Sequence, residues 1–227
     1  MQALTRISVC LGALLALGAC TSAPLRPALD GGLSEAGLQR MTGTDFDEVW
    51  LRPGTDLRAY QGVVLAPTSV TYREVDEGVR IHSPRLRVGE DAYPIPADQR
   101  ERIEAAFEGR LSQALDQVAG LRRASGPGPG TVSLRAVLVD FVSKVPPQEV
   151  MTRVYVTSVG EATLIIELWD DERDELLLRA IDHERAGPPG SELIRANNVT
   201  SWAEIDRQMQ RWGAQVRRLV EQLAATG

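Results

Sequence analysis

Apolar positions along this 227-residue chain recur with two different periods, and each period marks an element. Near the C-terminus, Trp202, Ile205, Met209, Trp212, Val216, Leu219 and Leu223 follow one another at alternating intervals of three and four. That spacing draws one stripe along a helix. At its head, Ser201-Trp202-Ala203-Glu204 has the form of a capping box, in which serine and glutamate satisfy orphan N–H groups reciprocally. The a/d register suits a coiled-coil seam, although packing of the stripe on a sheet is the simpler use. A second helix is predicted over 97–120, with Ile103, Phe107, Leu111, Leu115 and Val118 on one side. Glu101, Glu104 and Arg110 would face water, and Gly120 suits the C-terminal end.

Strand signals fill the interval between the helices and the stretch before them. Gly62-Val63-Val64-Leu65-Ala66-Pro67 is a continuous apolar run of the kind found in a central strand buried on both faces. Residues 70–74 continue it or pair beside it. Residues 131–142 are β-branched and mostly apolar, which predicts a second buried strand. Residues 160–169 alternate, with Ala162, Leu164, Ile166 and Leu168 on one face and Glu161, Thr163 and Glu167 on the other. With 175–184 across a short acidic turn they form an antiparallel hairpin. Polar 76–96 reads as a loop, and Gly126-Pro127-Gly128-Pro129-Gly130 as a break. The order of elements predicts an α+β domain, a mixed sheet of about 4–6 strands packed with two main amphipathic helices.

The first residues carry an address. After a single basic residue, Arg6, an apolar run at 7–17 is shorter than the roughly 20 residues a membrane-spanning helix needs. It reads as a secretory signal. The run ends in Leu17-Gly18-Ala19-Cys20, which resembles the lipobox of bacterial lipoproteins. Cleavage before Cys20 and acylation of its sulfur would give a membrane tether. Thr21 is not the aspartate that resembles an inner-membrane retention signal, so the expected location is the outer membrane, facing the periplasm. Three segments follow: a signal peptide over 1–19, a lipidated flexible tether over 20–44 and a globular domain over 45–227.

Composition narrows the chemistry. Loss of Arg6 with the signal moves the formal charge from −6 to −7, an unfavourable balance for binding nucleic acid. Of the two cysteines, Cys10 would leave with the signal and Cys20 would be blocked by lipid. The mature chain then has neither a disulfide nor a thiolate for metal or catalysis.

The remaining candidates are few. His82 sits in the polar loop, and His183 lies in Asp182-His183-Glu184, where neighbouring strand residues point to opposite faces. The acidic turn from Asp170 to Glu175 has oxygens at the first, third and fifth places of a calcium loop. It lacks the glycine at the sixth, where Glu175 stands, and the glutamate at the twelfth, where Ile181 stands. It reads as a solvated hairpin tip. Pro127 and Pro129 deprive the glycine-rich stretch of the donors a phosphate loop needs. Asn198-Val199-Thr200 matches a glycosylation sequon that a bacterial lipoprotein would not normally use, and Arg207, Arg211, Arg217 and Arg218 read as the wet face of the last helix. Trp202 and Trp212 belong to its core stripe, and Trp50 covers an edge or a helix end.

Several segments together resemble a known family. Val49-Trp50-Leu51-Arg52-Pro53-Gly54, Asp56-Leu57, Tyr60 and 63–67 come first, followed by Leu134-Arg135-Ala136, Val159-Gly160-Glu161-Ala162 and the hairpin from Glu167 to Asp182. Their order is similar to that of an uncharacterised lipoprotein family of Gram-negative bacteria, domain-of-unknown-function family 3313. One departure is the hairpin tip, where Arg173-Asp174 stands in place of an expected glycine. The resemblance implies lipidation and an envelope location and brings no established activity; from the residues themselves no catalytic residue, cofactor or metal is expected. The expected role is a non-enzymatic binding or scaffolding module, held to the membrane through Cys20 and meeting an envelope protein. The alternatives are an envelope hydrolase or small-ligand binder with a cleft beside 76–96, and a self-assembling subunit using the last helix.

Overall fold

The computed structural model describes residues 24–29, 31–75, 92–145, 155–188, 190 and 192–226. Residues 1–19, expected to form a signal peptide, Cys20, His82 and most of the 76–96 loop lie outside the described residues, as does the Asn198 side chain of the sequon. In chain order the elements are β1 (Arg26–Pro27), β2 (Gln39–Thr42), β3 (Glu48–Leu51), β4 (Gly62–Leu65), β5 (Ser69–Tyr72), α1 (Ala97–Asp116) and β6 (Arg122–Arg123). They continue with β7 (Thr131–Ser143), β8 (Tyr155–Val156), β9 (Gly160–Asp170), β10 (Glu175–Ala186), β11 (Ile194–Arg195) and α2 (Asn198–Thr226).

The domain is α+β. Among the described residues its main sheet has nine strands, in the order β1-β2-β3-β10-β9-β7-β4-β6, with β5 beside the second half of β7. This exceeds the expected four to six because short strands extend both edges. One of those extensions corrects the tether: within 20–44, β1 and β2 join the sheet, and Leu25 and Leu38 are buried. Pairing is antiparallel from β1 to β7 and parallel where β4, β5 and β6 meet their neighbours. The parallel β4–β7 pair requires a long connection, and α1 lies within it. Val63 and Val64 are buried as the apolar run predicts, yet β4 is not central, because among the described residues only the two-residue β6 lies beyond it.

Both helices bury their stripes against one face of the sheet. Ile103, Phe107, Leu111 and Leu115 of α1 meet Met209, Trp212, Val216, Leu219 and Leu223 of α2 in one core with Leu134, Leu138, Leu164, Ile166 and Leu168. Each such side chain taken from water contributes about 1.5–3 kcal/mol. The α2 stripe is therefore consumed inside the domain, which removes it as a coiled-coil seam or assembly surface. The helices touch closely because Gly213 has no side chain: a Cβ there would sit 3.1 Å from the Arg110 carbonyl oxygen.

The start of α2 also departs from expectation. Asn197 caps it, its Oδ1 accepting from the Val199 and Thr200 amides at 3.0 Å each. Ser201 is inside the helix, so it cannot serve as the cap, and Glu204 instead pairs with Arg207. The arginines of α2 are less free than a wet face implies, since Arg218 pairs with Asp45 and Arg217 donates to Gln117.

Two positions explain local geometry. A bulge in β7, where Asp140 takes a φ of 58°, brings the Val142 carbonyl oxygen to 2.7 Å from where a Cβ on residue 160 would stand. Only glycine fits there. At the β9–β10 tip Asp174 takes the left-handed conformation, φ 51°, in place of the expected glycine, a role that aspartate tolerates better than most residues.

Candidate functional site

Alternation in β9 assigns every second residue to each face of the sheet. The inner set, Ala162, Leu164, Ile166, Leu168 and Asp170, is buried, and Glu161, Thr163, Ile165, Glu167 and Trp169 are half-buried on the outer face. Among the described residues no helix covers that outer face. Strand register assembles a surface from it. Arg135, Glu167 and Arg179 stand side by side across β7, β9 and β10, with Trp50 of β3 next in line. Val137, Ile165 and Ile181 form the next row, and Val139, Thr163 and His183 the one after.

Charge gathers at the two ends of this face. At one end Arg179 donates to Glu167 Oε1 at 2.7 and 2.9 Å, and the Trp169 indole donates to Glu167 Oε2 at 2.9 Å. The Arg135 guanidinium lies 4.3 Å over the Trp169 ring and also reaches Asp171 at 3.2 Å. At the other end Glu161 accepts from Arg73 at 3.0 Å and pairs with Lys144 at 3.3 Å, while Arg73 also binds Asp140. Burial would raise the Glu161 carboxyl, but Arg73 and Lys144 outweigh it and hold the group below its ordinary value. The Arg73 guanidinium likewise lowers Asp140. Between these clusters lies the apolar strip of Val137, Val139, Ile165 and Ile181. An apolar centre within a charged rim is the anatomy of a protein-binding patch.

The acidic turn is built for structure. Asp170, 1% exposed, accepts from the Tyr60 hydroxyl at 2.7 Å, from the Glu172 and Arg173 amides at 3.0 and 3.1 Å, and from Arg173 Nη1 at 2.5 Å. Its burial alone would raise the carboxyl, yet the bonds from Tyr60 and Arg173 leave it lowered. Tyr60 answers in the other direction, pushed up to about 12 by burial and by its bond to Asp170. One oxygen set that a calcium ion would need is thus committed to the turn itself. Among the described residues no group of three or more potential ligands gathers for a metal.

Asp182 and His183 fall on opposite faces, as adjacent strand residues must. Asp182 is buried against α2 and accepts from the Trp212 indole at 2.8 Å; its carboxyl is raised by burial, which that bond opposes. His183 is exposed on the outer face, 3.0 Å from the Thr163 hydroxyl through Nδ1. The structure therefore brings no carboxylate of the tripeptide to the imidazole. An open cleft of about 270 Å³ lies elsewhere, between α1 and α2, lined by Arg110, Gln113, Gln117 and Arg217. Sequence reading missed the outer surface because its rows join residues distant along the chain. The only available signal was the polar half of the β9 alternation.

Among solved structures, the PelC dodecamer from Paraburkholderia phytofirmans is 11% identical, with a TM-score of 0.35, covering 74% of this chain and 96% of that one. Protein XCC0632 from Xanthomonas campestris is 10% identical, with a TM-score of 0.36, covering 74% of this chain and 87% of that one. The hypothetical protein CT253 from Chlamydia trachomatis is 13% identical, with a TM-score of 0.32 and coverage of 73% and 94%. At these identities no side chain of the outer face carries across. No curated protein matches the sequence. The profile of the proteins of unknown function DUF3313 matches residues 30–216, and the chain belongs to that family.

Proposed function

We propose that this chain is an outer-membrane lipoprotein whose periplasmic domain is a non-enzymatic binding module, docking an envelope protein on the outer face of its sheet. One observation carries the binding reading: the strip Val137, Val139, Ile165 and Ile181 lies between two charged clusters on a face that no described helix covers. The polar groups nearest to catalytic types serve structure, Asp170 in its turn and Asp182 against Trp212. The location rests on Leu17-Gly18-Ala19-Cys20 following a short apolar run.

Two variants test the two halves. Cys20→Ala should release the domain from the outer-membrane fraction while leaving it folded; retention there like wild type would refute the anchor. Ile165→Glu should keep the fold and abolish the specific adduct recovered by in-cell crosslinking. An unchanged adduct would refute the binding face.

A further inference from the structure

We infer that the turn between β1 and β2 is a membrane-contact surface, seating Leu29 and Leu33 in the lipid interface beside the anchor. The inference deepens the lipoprotein reading and rests on it. Four leucines lie within fourteen residues here, and they divide sharply. Leu25 and Leu38 are 5% and 2% exposed and bind the turn to the body, whereas Leu29 and Leu33 are 109% and 66% exposed.

The described residues of the turn are tied together by backbone bonds. The Ala28 amide donates to the Arg40 carbonyl at 2.9 Å, Gly31 to Ala28 at 3.2 Å, and Ser34 to Leu38 at 2.8 Å. Arg52 fastens it to the rest of the sheet, donating to the Ala36 carbonyl at 3.1 Å and to the Leu176 carbonyl at 2.8 Å. The two leucines are thus held outward by a framework.

A pair of exposed leucines would need no explanation elsewhere on a protein. Their distance from Cys20 gives them one. Pro24 is four residues beyond the lipidated cysteine, and an extended chain spans at most roughly 14 Å over that length. The sheet accordingly starts within reach of the headgroup layer, and the β1 edge is the part the anchor holds there. Apolar side chains confined at such a distance meet lipid at high effective concentration, so a contact too weak to bind a free protein can still orient a tethered one. The opposite edge, where β6 lies beyond β4, would then point away, seven strand spacings or roughly 34 Å across the sheet.

The test places an environment-sensitive dye at single cysteines in the mature lipidated chain, reconstituted in phosphatidylethanolamine–phosphatidylglycerol vesicles. Cys10 is lost with the signal and Cys20 is acylated, so Leu29→Cys, Leu33→Cys and the control Glu108→Cys each offer one thiol. Glu108 is exposed on α1. Dyes at 29 and 33 should emit to the blue of the dye at 108 and be quenched by doxyl-labelled lipid at least about twofold more strongly. Equal emission and quenching at all three sites would overturn the inference. Mass spectrometry of the N-terminal peptide reads the anchor separately. Should Cys20 prove unmodified, the same three variants with residues 1–20 replaced by a hexahistidine on nickel-chelating lipid decide the contact. A blue-shifted, quenched dye at 29 and 33 there sustains it, and dyes matching 108 refute it.

Discussion

The two faces of the β9–β10 hairpin share one alternation and differ in what happens to their polar groups. Inside, the two buried carboxylates have fixed partners: Asp182 meets the Trp212 indole, and Asp170 closes its own turn and binds Tyr60. Outside, charges pair with one another across strands, and the apolar rows between them remain half-buried. The inner face is held by long-range packing, so changes there should register as stability. Changes on the outer face should register as binding.

The largest effect belongs to the core. Trp212→Ala removes a side chain 1% exposed and strands the Asp182 carboxyl, and it should cost about 3–5 kcal/mol in denaturant unfolding. A smaller loss follows at the tip. Asp170→Ala leaves the Tyr60 hydroxyl and two amides without their acceptor, and should cost about 2–3 kcal/mol while keeping the fold.

The two buried aspartates also separate by pH. The Asp170 carboxyl is lowered on folding, so its stabilisation is present above its unfolded value near 3.8 and disappears as pH falls through the folded one. Asp182 is raised, so stability is fully present below that unfolded value and declines as pH rises through the folded one. Asp182→Asn can still accept from Trp212 and should flatten the decline on the alkaline side. Asp170→Asn should weaken the acid-side dependence instead. Thermal unfolding of the variants across pH reads both signs.

On the outer face, Ile181→Glu should change stability by no more than about 1 kcal/mol, because the side chain lies on a half-buried surface. A loss approaching that of Trp212→Ala would show that this face is a sealed part of the core, and the division between the two sides would fail.

Periodicity made the interior legible. The stripes of α1 and α2, the long β7 and the β9–β10 hairpin all follow repeats that only a buried face requires. The edges were not, because strands of two to four residues have too few positions to show a period, and β1 and β2 sit in a stretch whose Ala, Gly and Pro content reads as tether. Helix entry was displaced for a related reason. Ser201 and Glu204 match a capping pattern, but Asn197 lies upstream and captures the amides first. The outer site was half legible: Glu161, Thr163 and Glu167 declared their face, whereas their neighbours Arg73, Arg135 and Arg179 arrive through register set elsewhere in the chain.

Photocrosslinking in intact cells tests the central claim most directly. A benzophenone side chain would be placed at position 165 or 181 on the outer face, or at exposed position 108 on α1. The account predicts one discrete protein adduct from 165 and 181 and none from 108. Adducts of equal yield from all three, or none from 165 and 181, would contradict it.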